Sequence, residues 1–465
     1  MYQKGVVNKM VLKTLKNIFY GTYARGYFFS YLFAIITGAI LLSLPFSVQA
    51  GQNLTFIDAL FTAASAVSVT GLTTIVVGDV FTTFGLIVLL FIIQFGGIGL
   101  IMLVAMFWLI ARKKINFTHR NLIVADQNQF SRKGVVRFVR NVLIMVFVIE
   151  LVGFIIITHY LYFSGYFDYA EAVMQGLFLA ISLTANAGFD IAPNADSFQM
   201  FAGDYFMQII GITLMFFGSV GFWVLAEVKE WIIAKFQKKT FKFSYFVKMI
   251  LGLHIIFIIV GAVFIFILES RAFLADKGLL ESIFYALFMS VTTRNAGFST
   301  MDVNDFTSAT SLVLMIWMFI GASPNSFGGG VRTTSILLVL LSIKAYALGR
   351  PNTVIFRGRK IKEETVQKAF FAITAGLMVV LLSTVLIAYV EPYSLHMILF
   401  EVTSAFGTTG LSKGITDTLT HLSKFILVIV MFVGRLGILA FLLMLKRDRG
   451  TETSLAYPEE DIIVG

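Results

Sequence analysis

The chain lacks cysteine, contains only six prolines, and carries charge on just 13 % of its 465 residues. The absence of cysteine excludes disulfides and thiolate metal sites. A soluble globular domain has about 25 % charged residues, whereas 58 % of this chain is hydrophobic and 49 residues are phenylalanine. Such a composition requires a hydrocarbon solvent, so the sequence predicts an all-α integral membrane protein that crosses the bilayer several times.

Four similar stretches each contain a glycine that is followed by a hydrophobic residue. They are SAVSVTGL (65–72), LTANAGF (183–189), TTRNAGF (292–298) and FGTTGL (406–411). Their glycines, Gly71, Gly188, Gly297 and Gly410, are separated by 117, 109 and 113 residues. Because a regular period is typical of repeat architectures, the sequence predicts four quarters: 1–111, 112–228, 229–348 and 349–465.

Each quarter has the same order of apolar runs. A run long enough to span a bilayer is followed by a run of about half that length, the glycine stretch, and a second long run. The long runs are 27–46, 84–111, 138–163, 206–228, 246–268, 311–348, 369–390 and 425–445, and the short runs are 56–66, 170–183, 280–291 and 395–406. The sequence therefore predicts four tandem helix–half-helix–loop–helix repeats, with eight spans and four half-helices around a pseudo-fourfold pore. The alternative is that the short runs lie at the membrane surface.

The basic residues predict the orientation. The N-terminal arm, the links near 112–140, 229–248 and 344–368, and the C-terminal tail hold 29 of the 36 lysines and arginines. Basic residues accumulate on the cytoplasmic side of membrane proteins, so both termini and the links are predicted to be cytoplasmic and the glycine loops to open outward. The aspartates near those loops, among them Asp190 and Asp302, either form an acidic vestibule that concentrates cations or are ordinary solvated loop residues.

The glycine loops have the chemistry of a cation site. Non-helical backbone at membrane depth persists only where it is buried in protein or lines water. Glycine lets the chain turn its carbonyls inward, and rings of carbonyls replace the hydration shell of an alkali ion. None of the four loops contains an acidic side chain, which disfavours a calcium filter. The sequence predicts a pore for a monovalent cation.

The fourfold order with one filter glycine per quarter resembles the Trk/Ktr/HKT superfamily of potassium transporters. FIDALFTAASAVSVTGL (56–72), TTRNAGF (292–298) and FEVTSAFGTTGL (400–411) are most similar to the membrane subunit of bacterial Ktr systems, and the resemblance covers nearly the whole chain. It implies potassium uptake at the cell membrane, with glycine at position 71 favouring potassium over sodium. The implied filter residues are Val69, Thr70, Gly71, Asn186, Ala187, Gly188, Asn295, Ala296, Gly297, Thr408, Thr409 and Gly410.

The resemblance also implies partners. Ktr membrane subunits are homodimers on a cytosolic ring of nucleotide-binding regulator subunits, which would dock here on the basic links. No nucleotide-binding stretch is visible in this chain, so nucleotide control would require another polypeptide. We expect no organic cofactor and no nucleic acid partner, with potassium as substrate and sodium left open as an activator.

A second glycine series lies in the closing run of each quarter, at Gly96, Gly218, Gly321 and Gly434. In the first, second and fourth quarters we interpret it as close helix packing. In the third, ASPNSFGGGVRT (322–333) contains a proline and three glycines that break a helix. This pattern predicts an intramembrane gating loop at 321–333, although a static kink is the alternative. The predicted gate residues are Gly321, Ser323, Pro324, Asn325, Ser326, Gly328, Gly329, Gly330 and, by resemblance, the basic Arg332.

Charged residues within the apolar stretches need a partner or water, because each costs about 3 kcal/mol at a helix centre. They are Arg294, Arg332, Arg435, Glu150 and Glu401. We predict that Glu401 pairs with Arg294 or Arg435 and braces the filter.

Three rival functions remain open at this point. The first is a sodium-coupled or less selective monovalent cation transporter. The others are an intramembrane enzyme, which the scattered histidines disfavour, and a scaffold without transport.

Overall fold

The structure, a computed structural model, describes residues 23–99, 134–192, 198–350 and 353–445, together with Met102, Ala105, Met106 and Trp108. The N-terminal arm, most of the first basic link and the C-terminal tail lie outside the described residues. The helices are α1 Tyr23–Leu42, α2 Phe56–Ser68, α3 Val77–Val80, α4 Thr83–Ile98, α5 Val135–Phe163, α6 Tyr169–Ala185, α7 Tyr205–Ser219, α8 Phe222–Phe236, α9 Tyr245–Glu269, α10 Leu279–Thr292, α11 Ser308–Phe319, α12 Thr333–Ala347, α13 Glu363–Val390, α14 Leu395–Gly407, α15 His421–Leu436 and α16 Ile438–Leu445.

Within the described residues the fold is helical, as predicted, apart from one short hairpin. Strands β1 (Ile355–Phe356) and β2 (Arg359–Lys360) pair antiparallel. The carbonyl of Phe356 accepts a 2.7 Å hydrogen bond from the hydroxyl of Tyr245, which ties the hairpin to the start of α9. The sequence analysis did not predict this hairpin, which lies in the basic link between the third and fourth quarters.

Four short apolar helices, α2, α6, α10 and α14, occupy the positions of the predicted half-helices. Side chains of Thr55, Asp168 and Ser394 accept hydrogen bonds from the first turns of α2, α6 and α14, whereas α10 starts after Gly278 without a side-chain cap. Such caps satisfy amide groups that the helix leaves unpaired at its start. Three of the four half-helices therefore begin at a polar residue that precedes the apolar run.

Three of the described helices, α5, α9 and α13, are long and apolar enough to cross a membrane. The pair α7 and α8 adds a fourth span that is bent by 105°. Some isoleucine and leucine side chains on one face of α9 and of α13 remain more than half exposed, for example Ile256 at 56 % and Leu381 at 58 %. These faces are suited to contact lipid, in agreement with an integral membrane protein.

Each closing run outside the third quarter was predicted as one span, and the structure interrupts each of these runs at a glycine. The helix α4 ends at Gly99 (φ 92°), α7 passes into α8 at Gly221 (φ 104°), and α15 passes into α16 at Gly437 (φ 82°). A positive φ is accessible to glycine but incompatible with a right-handed helix. In the third quarter α11 ends at Phe319 and α12 begins at Thr333, so a loop occurs there as predicted.

Candidate functional site

The four glycines of the predicted filter form a closed ring. A Cβ atom built on Gly71 would lie 2.7 Å from the Cα of Gly188, and one built on Gly188 would lie 3.3 Å from the Cα of Gly297. A Cβ built on Gly297 would lie 3.1 Å from the Cα of Gly410, and one built on Gly410 would lie 3.1 Å from the Cα of Gly71. Four segments far apart in sequence therefore meet around one centre, and a side chain at any of these positions would meet a neighbouring loop.

All four triplets share one pattern of positive φ angles. The first residue is left-handed in each, with φ of 57° at Val69, 56° at Asn186, 81° at Asn295 and 52° at Thr408. The glycines two residues later also have positive φ, between 69° and 97°. This unusual combination of positive φ angles repeats at equivalent positions of all four triplets. The helices α2, α6 and α14 end directly at this left-handed residue, and their negative dipole ends point towards the ring.

Hydroxyl groups at the ends of the half-helices hold the triplets, and the sequence analysis missed them. Ser65 and Ser404 accept hydrogen bonds from the amides of Gly71 and Gly410, at 3.0 and 3.1 Å. In the other two quarters the hydroxyl donates instead, from Ser182 to Phe189 O and from Thr292 to Phe298 O, both at 2.6 Å. The sequence signal that could have identified these residues is a hydroxyl side chain in the last turn of a mostly apolar helix.

A cavity of about 200 Å³ adjoins the ring, beyond the C-terminal ends of the triplets. The four glycines contribute to its wall together with Asp190, Asp302, Ser299 and Ser412. Lys413, next in sequence, is 7 % exposed, and its ammonium lies 5.3 Å from the centre of the Phe400 ring. Burial lowers the pKa of Lys413, while the carboxylates of Asp302 and Glu401 act in the opposite direction. Two of the predicted vestibule aspartates thus line a polar cavity beside the ring.

The predicted gating loop lies against the opposite ends of the triplets. Gly329 N donates to Thr408 Oγ1 at 2.8 Å, and Gly330 N donates to Gly434 O at 3.2 Å. The earlier part of the loop is held by the second quarter. Its contacts there are Ser323 N to Ser219 O (3.2 Å), Phe222 N to Asn325 O (2.5 Å) and Phe327 N to Gly218 O (3.3 Å). The loop therefore bridges two quarters directly beneath the ring.

Phe327 in this loop is fully buried, and the sequence analysis did not select it. Its ring packs edge-on against Phe222 with centroids 5.1 Å apart. On the side of the first quarter, a Cβ built on Gly97 would lie 2.7 Å from the Phe327 ring, so glycine at position 97 makes room for it. A single aromatic residue within a polar and glycine-rich segment was the sequence signal for this role.

The predicted pairing of Glu401 with an arginine is wrong. The carboxylate of Glu401 accepts hydrogen bonds from Ser412 Oγ (2.7 Å), Lys413 N (2.7 Å) and Thr416 Oγ1 (2.8 Å), all in the segment that follows the fourth triplet. Neutral hydroxyls and a backbone amide of its own quarter therefore satisfy the buried acid. This arrangement ties the exit of the fourth loop to its own half-helix.

The two arginines have different surroundings. Arg435 donates to the carbonyls of Phe327, Gly96 and Gly97, so it connects the loop to the helix end in the first quarter. Arg294 is fully buried, and its guanidinium nitrogens have no hydrogen-bond partner among the described residues. Its guanidinium carbon lies 5.2 Å from the centre of the Phe257 ring, within range of a cation–π contact.

The two remaining charged residues also have hydrogen-bond partners. Arg332 donates to Gly328 O within the loop. The carboxylate of Glu150 accepts a 2.7 Å hydrogen bond from Gln94 Nε2. Within the part of the chain that the structure describes, no group of three or more His, Asp or Glu side chains is suited to hold a metal ion.

The comparisons with known proteins agree on one family. The model of the TrkH family, described as "Cation transport protein", matches residues 33–449. The chain is 41 % identical to Ktr system potassium uptake protein D of Bacillus subtilis over 94 % of this chain and 95 % of that protein. It is 33 % identical to Ktr system potassium uptake protein B of the same organism, over 95 % of this chain and 96 % of that protein.

The chain is also similar to a transporter of another organism and, in fold, to a solved structure. The chain is 32 % identical to the potassium/sodium uptake protein NtpJ of Enterococcus hirae over 99 % of this chain and all of that protein. The crystal structure of the potassium transporter TrkH from Vibrio parahaemolyticus matches with a TM-score of 0.68 and 19 % identity. That match covers 90 % of this chain and 84 % of the other. This second similarity concerns the fold alone.

Proposed function

The chain belongs to the TrkH family of cation transport proteins, and from this membership we propose that it takes up potassium across the cell membrane. The observation that carries the proposal is the closed ring of Gly71, Gly188, Gly297 and Gly410. The two Ktr relatives from B. subtilis are named as potassium uptake proteins. As the family consists of transport proteins, the enzyme alternative is set aside.

The triplets that contain these glycines are the proposed selectivity filter. A potassium ion exchanges its hydration shell for carbonyl oxygens supplied by all four triplets. The hydroxyls of Ser65, Ser182, Thr292 and Ser404 keep the triplets in position. Asp190 and Asp302 in the adjoining cavity raise the local concentration of cations. The ion path then runs from that cavity through the ring.

The loop 321–333 is the proposed gate. It lies on the far side of the triplets from the cavity and is held by Thr408, Gly434 and Arg435. Phe327 places a buried aromatic ring between the first and second quarters. An ion that leaves the filter would meet this loop, so conduction requires the loop to move.

The proposal includes partners and an orientation. We propose a homodimer whose termini and basic links face the cytoplasm, because these segments hold most of the lysines and arginines. A separate nucleotide-binding regulator ring docked on those links would control the gate. The described part of this surface includes the hairpin of β1 and β2, with Arg357, Arg359 and Lys360.

A second candidate is transport that involves sodium. The E. hirae relative is named as a potassium/sodium uptake protein and is similar over nearly the entire length of this chain. Sodium would act as a coupled ion, a second substrate or an activator. Glycine at position 71 favours potassium selectivity, and the two candidates are separated by experiment.

The test is ion flux in proteoliposomes that contain the purified protein. Potassium, rubidium and sodium would each be offered with and without a sodium gradient, and uptake would also be measured in a host that lacks its own potassium transport. We expect potassium flux without a sodium gradient and restored growth at low potassium. A strict requirement for a sodium gradient would support the second candidate, and a failure to carry every alkali ion would refute transport.

A further inference from the structure

Thr408 connects the proposed filter to the proposed gate. Its Oγ1 accepts a 2.8 Å hydrogen bond from the amide of Gly329 in the loop and lies 3.2 Å from Asn295 Nδ2 of the neighbouring triplet. We infer that the Thr408 hydroxyl is a latch that holds the gating loop closed, and that it becomes an ion ligand when the loop departs. This inference rests on the proposed filter and gate.

The first quarter shows that the filter backbone does not need this hydroxyl. Val69 occupies the position of Thr408, with φ of 57° against 52°. The same amide-to-carbonyl bond caps the preceding helix in both, from Val69 to Ala66 at 3.1 Å and from Thr408 to Ala405 at 3.2 Å. Valine and threonine have nearly the same shape. The hydroxyl at 408 therefore serves contacts that the valine of the first quarter cannot make, with Gly329 N of the loop and with Asn295 Nδ2.

Asn186 and Asn295 occupy the position of Thr408 in the second and third triplets. Their side chains also differ in whether they contact the loop. The amide of Asn186 fits its own quarter: with its oxygen and nitrogen interchanged, which satisfies both atoms, the nitrogen donates to Leu183 O and Met215 O at 3.0 and 3.2 Å. Asn295 instead reaches into the fourth quarter, to Gly407 O and to Thr408. It also lies directly against the loop, since a Cβ built on Gly328 would come within 2.5 Å of its Cγ.

Glycine at position 329 allows the close approach. A Cβ built there would lie 2.7 Å from Thr408 Cγ2 and 2.8 Å from Gly434 O. A side chain at this point would hold the loop away from the filter and break the bond to Thr408. The loop is thus shaped to reach this hydroxyl.

The Thr408 latch couples the opening of the gate to ion binding at the inner end of the filter. While the loop is closed, two N–H donors occupy the lone pairs of Thr408 Oγ1. When Gly329 moves away, one lone pair becomes available at the inner end of the triplet, and a threonine hydroxyl is a suitable oxygen ligand for an alkali ion. A closed gate therefore also weakens cation binding at the inner end of the filter.

The test compares Thr408→Val and Thr408→Ser in proteoliposomes without regulator. Valine removes the hydroxyl and keeps the shape, and we expect basal potassium flux to rise roughly two- to tenfold, the range that one buried hydrogen bond supports. Serine keeps the hydroxyl and therefore the bond to Gly329, so its basal flux should stay below that of the valine variant. The control is Thr403→Val on the helix that Thr408 caps, whose hydroxyl donates to Leu399 O of that helix at 2.6 Å.

A second readout separates the latch from a general filter defect. The chain has no cysteine, so Ser326→Cys in the loop would be the only thiol, and its labelling rate reports the position of the loop. We expect Thr408→Val to raise the labelling rate of this thiol by about the same factor as the potassium flux. Unchanged labelling and flux would overturn the inference, as would altered ion selectivity with unchanged labelling. Natural protein that carries no potassium would instead refute the proposed function.

Discussion

Lys424 Nζ donates to Asp58 Oδ1 over 3.0 Å, although the two residues are 366 positions apart in the chain. Asp58 lies in the first turn of α2 and Lys424 in the first turn of α15. The Asp58 carboxylate also accepts hydrogen bonds from the hydroxyls of Thr55 and Thr74, at 2.5 and 2.7 Å. This ion pair joins the fourth quarter to the first and closes the arrangement of helices around the glycine ring.

Lys424→Met is expected to lower the thermal stability of the purified protein. The two side chains are only 8 % and 14 % exposed, and removal of one partner leaves the other charge buried, at a cost of about 3–5 kcal/mol. Lys368→Met is the matched control, because its pair with Glu364 is 57 % and 72 % exposed and such pairs contribute little. Equal melting temperatures for the two variants would contradict a role for Lys424 in closing the ring.

Alanine at the ring glycines is expected to impair potassium flux in a graded order. The nearest carbonyl oxygen of the neighbouring loop lies 3.0 Å from a Cβ built on Gly188 and 2.6 Å from one built on Gly71, and it is closer still at Gly297 and Gly410. Overpacking of this kind costs about 1–3 kcal/mol, so flux should fall roughly tenfold, most at the last two positions and least at Gly188. Flux is measured in proteoliposomes at matched protein content.

Gly252→Ala serves as the control for this series. Gly252 lies within α9, and nothing is found within 4 Å of a Cβ built on it. Alanine is also the better helix former, so flux and stability should stay the same or improve. Four ring variants with the behaviour of Gly252→Ala would show that ions do not pass through the ring.

Phe327→Ala is expected to raise potassium flux in the absence of a regulator. The Phe327 ring is fully buried between Gly97 and Phe222, and the backbone carbonyl of the same residue accepts from Arg435. Loss of the ring removes the packing that fixes the loop beneath the filter. An alternative outcome, in which flux falls while stability is unchanged, would mean that the loop is not the barrier.

The control for the gate variant is Phe371→Ala. Phe371 on α13 is 61 % exposed, on a face that is suited to contact lipid. Its removal creates no cavity inside the protein, so flux should match that of the natural chain. A rise in both variants would point to general loosening of the protein.

Local signals explain why the half-helices could be predicted within about two residues. The sequence predicted a run over 56–66 and another over 395–406, and the helices are Phe56–Ser68 and Leu395–Gly407. Each run is apolar and ends where the chain must adopt positive φ. Hydrophobicity and glycine are both visible in the sequence itself, so no information about distant contacts was needed.

Contacts between quarters could not be predicted in this way. Arg435 donates to Gly96, 339 residues earlier, and nothing near either residue indicates the other. The breaks at Gly99, Gly221 and Gly437 were missed for a different reason. A lone glycine in an apolar membrane run is equally typical of close helix packing, and the pattern alone does not separate packing from a break.

The variant Glu401→Gln tests whether hydrogen bonds to this carboxylate support the fourth filter loop. Its carboxylate accepts three hydrogen bonds from residues 412–416, and glutamine would replace one of its acceptor oxygens with a donor that faces other donors. We therefore expect Glu401→Gln to lower the melting temperature, with a cost of about 1–3 kcal/mol for the unsatisfied groups. Potassium selectivity over sodium should fall as well, because the segment directly follows Gly410.

The same variant decides between the arginine brace and the observed contacts. In a double-mutant cycle with Arg294→Met, two residues that share no contact should give additive changes in stability, within about 0.5 kcal/mol. Arg294→Met alone should not destabilise the protein, because it removes a buried charge without a hydrogen-bond partner among the described residues. A coupling energy well above about 0.5 kcal/mol would instead support a pairing of Glu401 with Arg294. Additivity would leave the serine, the threonine and the backbone amide as the groups through which this acid supports the fourth loop.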